Sequence, residues 1–283
     1  MQIRKFLYPL NYIRYLKYRK RLICKEKSNR REKKLSQQYL ANLEQHRKEE
    51  AKKFKKLGLN TDDALFRLNS ILHQTREKKF DYTFGKDSVH WLLFSAISIA
   101  DQVKQILEIG TGQGDSTLIL SRLFPEASIL TVDLPANDPI TRSTYGRETD
   151  ENFKDYVRLR SRNTEQPSVN MVCSNSFFLL DVIGNQEFDL VWVDGGHLYP
   201  EVAWDLANGF HVCRRGGWLL CDDVLIHPDG YNNGLTNTDS YEVLKYMQKR
   251  IDSEIVYFLK RENPIWSADP KKRKYVSVFR KPV

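Results

Sequence analysis

The segment Ile106-Leu-Glu-Ile-Gly-Thr-Gly-Gln-Gly114 runs from apolar residues through a carboxylate into glycines at 110, 112 and 114. Glycine lets a backbone turn sharply and approach a ligand where a Cβ would obstruct it, and a helix opening at Asp115 would aim free N–H groups at that ligand. The arrangement suits the cradling of a nucleotide-type cofactor, although the same turn can be purely structural. Polar residues close other apolar runs in the same manner. Glu108 lies within the first run, Asp133 follows 128–132, Asn175 follows 169–173, Asp194 follows 188–193, and Asp222 with Asp223 follows 217–221. Asp133 stands 25 positions after Glu108, the separation at which an acid accepts the two ribose hydroxyls of an adenosine-type cofactor; a strand-end turn carboxylate is the alternative. His197, three residues beyond Asp194, has the near-neutral basicity needed to take a proton from a substrate hydroxyl, and could equally hydrogen-bond a loop or a carboxylate. The sequence contains no Ser/His/Asp elbow, zinc-ligand cluster or P-loop lysine.

These residues need a scaffold that brings strand ends together. Runs at 105–109, 128–132, 169–173, 188–193, 217–221, 254–260 and 274–280 read as strands, with helices expected at 115–123, 150–161, 175–183, 199–213 and 238–250. Such alternation predicts an α/β fold: a Rossmann-like, doubly wound, mostly parallel seven-stranded sheet with helices on both faces and an N-terminal helical extension. Ligands in such sheets bind at the carboxyl ends of the strands, near the switch in strand order. Residues 137–150 and 228–239 are rich in Gly, Asn, Thr and Asp and are expected as loops on that edge. The expected organisation is a basic amphipathic extension over 1–60, a helical link over 61–104 and the α/β domain over 105–283.

Glu108-Ile-Gly-Thr-Gly-Gln-Gly114, Thr131-Val-Asp133 and the block from Phe188 to Asp223 resemble a class I S-adenosylmethionine-dependent methyltransferase, over roughly residues 85–281. The resemblance implies that Gly110, Gly112 and Gly114 pass beside the methionine part of the cofactor, with Glu108 ahead of them also among the cofactor-binding residues. It also implies that Asp133 holds the ribose and that Asn175, with Ser176 beside it, contacts adenine. The GxGxG spacing after a Glu differs from a dinucleotide fingerprint, which disfavours NAD. A narrower resemblance lies in Val193-Asp-Gly-Gly-His-Leu-Tyr199 and Gly216-Gly-Trp-Leu-Leu-Cys-Asp-Asp223, similar to the divalent-metal O-methyltransferases of the catechol and sugar types. It implies Mg²⁺ held by Asp194, Asp222 and Asp223, with His197 and Asp194 as the catalytic pair. Three convergent carboxylates repel unless a cation neutralises them, and all-oxygen ligands favour Mg²⁺; the alternative is that Asp222 and Asp223 cap a loop and Asp194 orders a turn. Asp223, where catechol enzymes usually carry Asn, favours the sugar type.

The charge is uneven. Residues 1–60 hold 19 Lys and Arg against 5 Glu, whereas residues 61–283 hold 26 against 31 Asp and Glu, so the net +9 belongs to the tail. Aromatic and apolar residues alternate with Arg14, Lys17, Arg21 and Lys25 at helical spacing over 10–25. That pattern suits docking of residues 1–25 on an anionic membrane, and it also suits self-association or packing on the body. The helical stretch over 30–57, ended by Gly58, is expected to be a spacer or an arm for homo-oligomerisation. Nucleic acid is disfavoured as a partner, because the body is mildly acidic and lacks an Asn/Asp-Pro-Pro-aromatic segment. Cysteines at 24, 173, 213 and 221 form no CxxC pair, and neither a membrane-spanning run nor a signal peptide is evident. A reduced cytoplasmic setting, peripheral to the inner face of a membrane, is expected. The sequence thus points to Mg-assisted methylation of a hydroxyl, of a sugar in a glycan or glycolipid. A natural-product O-methyltransferase and a non-catalytic cofactor-binding membrane scaffold are the alternatives.

Overall fold

The computed structural model describes residues 30, 34, 37, 38, 41–82, 87–230, 236–262 and 272–283. The expected basic helix over 10–25 lies outside them. Three helices come first: α1 (Leu43–Lys56), α2 (Thr61–Arg76) and α3 (Val89–Ala100). Then follow β1 (Gln105–Ile109), α4 (Asp115–Leu123), β2 (Ser128–Asp133), α5 (Pro139–Ser143), α6 (Asp150–Thr164), β3 (Val169–Cys173), a 3-10 turn (Ser176–Phe178) and α7 (Leu179–Ile183). The chain continues through β4 (Phe188–Val193), α8 (Glu201–Val212), β5 (Cys213–Leu225), α9 (Asp239–Gln248), β6 (Val256–Leu259) and β7 (Lys274–Arg280).

The seven strands form one sheet in the order β3-β2-β1-β4-β5-β7-β6. β7 enters antiparallel between β5 and β6, and the β3-β2-β1-β4-β5 pairings are parallel. The strand order reverses at β1, whose two neighbours are β2 and β4; the carboxyl ends of these three strands therefore form the crevice that a doubly wound sheet offers to a ligand.

Strand alternation divides the core in two. Ile106, Trp192 and Trp218 face α2, α3 and α4, where Leu68, Leu72, Phe94 and Leu120 are fully buried. Leu107, Ile109, Val191 and Leu219 face α7, α8 and α9 on the other side. Near-continuous apolar strands are what burial on both faces requires. The segment over 61–104 thus supplies one whole layer of the core.

Part of the segment expected as a spacer or oligomerising arm lies against its own body. Within α1, Phe54 meets Phe258 edge-on at 4.7 Å, and the Arg47 guanidinium donates to both Glu262 oxygens at 3.1 Å or less. Gly58, with φ 73°, follows the helix end as expected. No described helix is long and apolar enough to cross a membrane.

Two local differences bear on the site. β5 extends past Cys221 to Leu225, so Asp222 and Asp223 lie inside the strand instead of beyond it. The register against β7 shifts between Cys221 and Val224, and Asp223 takes φ 51°. A bulge absorbs an extra residue and re-aims side chains, and Asp tolerates the left-handed conformation better than most residues. The second difference is a short helix, α5, inside the expected loop 137–150, started by the Asp138 carboxylate accepting from the Ile140 N–H at 2.8 Å.

Candidate active site

A cavity of about 320 Å³ opens at the switch in strand order. Gly110, Gly112, Asp133, Asn175, Ser176, Asp194 and His197 line it, with Tyr145, Arg147 and Tyr156 reaching it from the α5–α6 side. The glycine turn is held closely: the Gly110 N–H donates to the Val132 carbonyl at 2.8 Å, and the Gly112 N–H donates to Asp133 Oδ2 at 2.8 Å. Asp133 Oδ1 accepts from the Leu134 N–H at 2.7 Å. Arg160, absent from the sequence reading, places a guanidinium nitrogen 2.7 Å from Asp133 Oδ2 and donates to the Leu134 carbonyl at 3.0 Å. Asp133 is thereby held in place with capacity left on Oδ1 for a hydroxyl donor. Asn175 caps the 3-10 turn by accepting from the Phe177 N–H at 2.9 Å.

Two expected cofactor contacts do not line the cavity. Gly114, at φ 75°, sits where a Cβ would lie 2.9 Å from Asn163 Cβ, so its role is the close packing of α4 against α6. Glu108 is fully buried on the α4 face, accepting from Thr117 Oγ1 at 2.5 Å and Thr131 Oγ1 at 2.7 Å. It ties β1, β2 and α4 together behind the glycine turn.

The tips of β4 and β5 bring the acidic residues together. Val193 pairs with Cys221, which sets Asp194 beside Asp222. His197 is buried and paired through its backbone with Thr236. Its Nε2 lies 3.7 Å from both Asp194 Oδ1 and Asp223 Oδ2. Burial holds the His197 imidazole below its usual pKa, against the opposing charges of Asp223 and Asp222, so the ring is neutral at neutral pH and free to accept a proton. Burial, reinforced by the Asp222 charge, pushes the Asp194 carboxyl well up. Asp222 and Asp223 go the other way: burial would raise them, but Lys260, joined by His90 at Asp222 and by His197 and Lys274 at Asp223, outweighs it.

Residues 107–224 match the family model described as a methyltransferase domain, Methyltransf_24. Over these residues the chain is similar to a methyltransferase domain. The match spans the glycine turn, Asp133, the His197 loop and the β5 carboxylates. Solved structures similar to it include the O-methyltransferase TomG from Streptomyces achromogenes (18% identity, 81% of this chain and 94% of that chain, TM-score 0.46). A putative O-methyltransferase from Klebsiella pneumoniae (17%, 81% and 94%, TM-score 0.47) and the N-methyltransferase NodS from Bradyrhizobium japonicum (15%, 69% and 95%, TM-score 0.46) are also similar. A comparison with curated proteins gives no match.

The Mg²⁺ expected in the methyltransferase domain does not fit the carboxylates as they are arranged. Among the described residues, no group of three or more His, Cys, Asp or Glu is placed to hold a metal ion. Lys260 Nζ donates to Asp222 Oδ2, and at 2.5 Å to Asp223 Oδ1. Lys274 Nζ donates to Asp223 Oδ2 at 2.5 Å. Both Asp223 oxygens and one Asp222 oxygen therefore already face ammonium groups, and the mutual repulsion that called for a cation is relieved by the chain itself. Both lysines escaped the sequence reading. The available signal was topological: a strand following β6 without an intervening helix pattern would run antiparallel, carrying its first residue, Lys274, to the same edge as the last residues of the parallel strands.

Glu108 gives the methyltransferase domain a pH-dependent stability. Burial, only partly offset by the two threonine hydroxyls, raises its carboxyl from 4.5 to about 7. The folded protein then retains a proton that the unfolded chain releases, so the contribution is fully present below pH 4.5 and is lost as pH rises through about 7. Glu108→Gln is expected to remove this loss. Urea denaturation at pH 5 and pH 8 should show the variant gaining up to about 3 kcal/mol on the parent between the two; an unchanged difference would mean the carboxyl is ionised in both states.

Proposed function

We propose that the chain is an S-adenosylmethionine-dependent O-methyltransferase whose acceptor is a hydroxyl, best matched by a sugar in a glycan or glycolipid. The carrying observation is a buried His197, its basicity lowered by burial, lining the same cavity as Gly110, Gly112 and Asp133. The donor supplies an activated sulfonium methyl, so the protein's task is positioning and proton removal. Asp133, steadied by Gly112 and Arg160, suits the ribose hydroxyls through Oδ1. Asn175 and Ser176 border the part of the cavity where adenine would rest. His197 Nε2 accepts the acceptor's proton as the oxygen–methyl bond forms and the methyl–sulfur bond breaks, leaving S-adenosylhomocysteine. Asp223, 3.7 Å from Nε2, stabilises the resulting imidazolium. No step passes through a metal.

The sugar assignment rests on the sequence pattern around Asp194 and Asp223, together with the basic aromatic tail, which would hold the enzyme at an anionic membrane on its cytoplasmic face. A natural-product hydroxyl uses the same chemistry. Transfer of isotopic methyl from S-adenosylmethionine to a panel of glycan, glycolipid and phenolic acceptors tests the reading; labelling of an amine in preference to every hydroxyl would overturn it.

Asp133→Ala is expected to weaken cofactor uptake. A hydrogen bond to a charged group contributes about 1.5–3 kcal/mol, so calorimetry should register a loss of roughly 10- to 100-fold. Affinity within about twofold of the parent would place the ribose elsewhere.

A further inference from the structure

The lysines against Asp222 and Asp223 are built into the fold. Lys260 directly follows β6, and its backbone is fixed on both sides: its N–H donates to the Lys274 carbonyl at 2.9 Å, and its carbonyl accepts from the Val89 N–H at 3.0 Å. Its side chain is 9% exposed, among carboxylates that are 3% and 10% exposed. Lys274 opens β7 opposite Leu225 and is steadied by a hydrogen bond to Thr236 Oγ1 at 3.0 Å. Two strands thus deliver two ammonium groups to the one bulge of β5. A lysine buried this far is tolerated only when its charge is paired.

The pairing has a geometric consequence for His197. Asp223 Oδ2 accepts from Lys274 and also lies 3.7 Å from His197 Nε2. The ammonium pair therefore fixes the carboxylate that faces the proposed base. A divalent cation at this point would have to displace Lys260 from between Asp222 and Asp223, where few oxygen donors remain: Asp222 Oδ1, which lacks a hydrogen-bond partner, and the Asp194 carboxyl. Mg²⁺ demands near-octahedral oxygen coordination. Placing it beside a retained ammonium would add repulsion in a buried site.

We propose that Lys260 and Lys274 take the place of a divalent cation, so that the acidic edge of the site is neutralised by the chain itself and methyl transfer proceeds without metal. The ammonium groups act as positioning residues: they hold Asp222 and Asp223 ionised and aim Asp223 at His197. The role in turnover rests on the O-methyltransferase reading above, whereas the charge replacement can be measured without an acceptor.

The experiment is a titration of the purified chain with Mn²⁺, a spectroscopically visible substitute for Mg²⁺, followed by electron paramagnetic resonance. The parent, Lys260→Met, Lys274→Met and the double variant Lys260→Met/Asp223→Asn are compared, with folding checked by circular dichroism. The parent is expected to leave Mn²⁺ free. Lys260→Met, which exposes Asp222 and Asp223 to each other, is expected to take up one equivalent, and the double variant to lose it. Should Lys260→Met fail to fold, Lys274→Met carries the same expectation. Stoichiometric uptake by the parent that Asp222→Asn abolishes would overturn the proposal, as would absence of uptake in both lysine variants. S-adenosylmethionine binding is measured by calorimetry on the same samples. A parent that ignores both Mn²⁺ and S-adenosylmethionine would sink the methyltransfer reading while leaving the charge replacement intact. With an acceptor in hand, turnover unchanged by chelator supports the metal-free reading, and turnover abolished by it refutes it.

Discussion

Gly110→Ala is expected to abolish S-adenosylmethionine uptake and to destabilise the fold by about 3–5 kcal/mol, at the upper end for single substitutions. Gly110 has φ 95°, and a Cβ there would lie 2.2 Å from the Asp194 carbonyl oxygen and 2.6 Å from the Gly195 nitrogen. Both are backbone atoms of the neighbouring strand's exit, so no rotamer change can relieve the overlap. β1 and β4 would have to part where the Asp194 N–H donates to the Ile109 carbonyl at 2.7 Å. The damage would fall on the cavity's floor and on the position of Asp194 together. Gly112 provides the comparison: it too has positive φ, at 55°, but a Cβ there meets nothing within 4 Å, so Gly112→Ala should cost only the roughly 1–2 kcal/mol of the left-handed backbone. Denaturation midpoints and calorimetric titration of the two variants test the contrast. Equal effects would mean that backbone conformation alone, without the approach of β4, sets the glycine requirement.

The same approach explains which parts of the molecule were legible in the sequence. Strand runs such as 105–109, 169–173, 188–193 and 274–280 coincide with β1, β3, β4 and β7; in β1 and β4 burial on both faces leaves a continuous apolar signature that few other structures share. Asp133, Asp194 and His197 were visible because they interrupt such runs at strand exits. The pattern failed where structure depends on pairing across the sheet. The bulge that turns Asp223 toward His197 arises from a register shift against β7, about 50 residues later in the chain, and no local period encodes it. Lys260 and Lys274 stand at the ends of the expected strands 254–260 and 274–280, where lysine usually reaches solvent. Only the antiparallel insertion of β7 brings both to Asp222 and Asp223. Arg160 escaped for a related reason: it lies on α6, a helix rich in charged residues, and is 4% exposed because that helix folds over the glycine turn. Glu108 was read as a cofactor ligand because of its place before the turn, yet strand alternation sends it to the α4 face, opposite to Ile109.

His197→Ala is expected to lower kcat by about 10²–10⁴-fold, the range for loss of a general base, while cofactor affinity stays near that of the parent, since Gly110, Gly112 and Asp133 are left in place. The pH profile separates a base from a packing residue. The groups facing the ring are Asp222 and Asp223, whose charges favour the imidazolium, Lys260 and Lys274, which oppose it, and the Asp194 carboxyl, itself pushed up by burial; burial is the largest influence on His197 and the net effect is a pKa below 6.5. The rate of the parent should therefore hold constant down through pH 6.5 and fall only at lower pH, as His197 becomes protonated and loses its capacity to accept. Lys274→Met removes one opposing charge, leaving the carboxylates less compensated, so its acid limb should move to higher pH. Were His197 merely structural, His197→Gln would keep much of the activity and the acid limb of the parent would survive in it. A kcat loss shared by Ala and Gln, together with disappearance of that limb, identifies Nε2 as the proton acceptor. The ammonium groups would then join burial in holding down the pH at which the base is available, a task that a bound cation performs only while it remains bound.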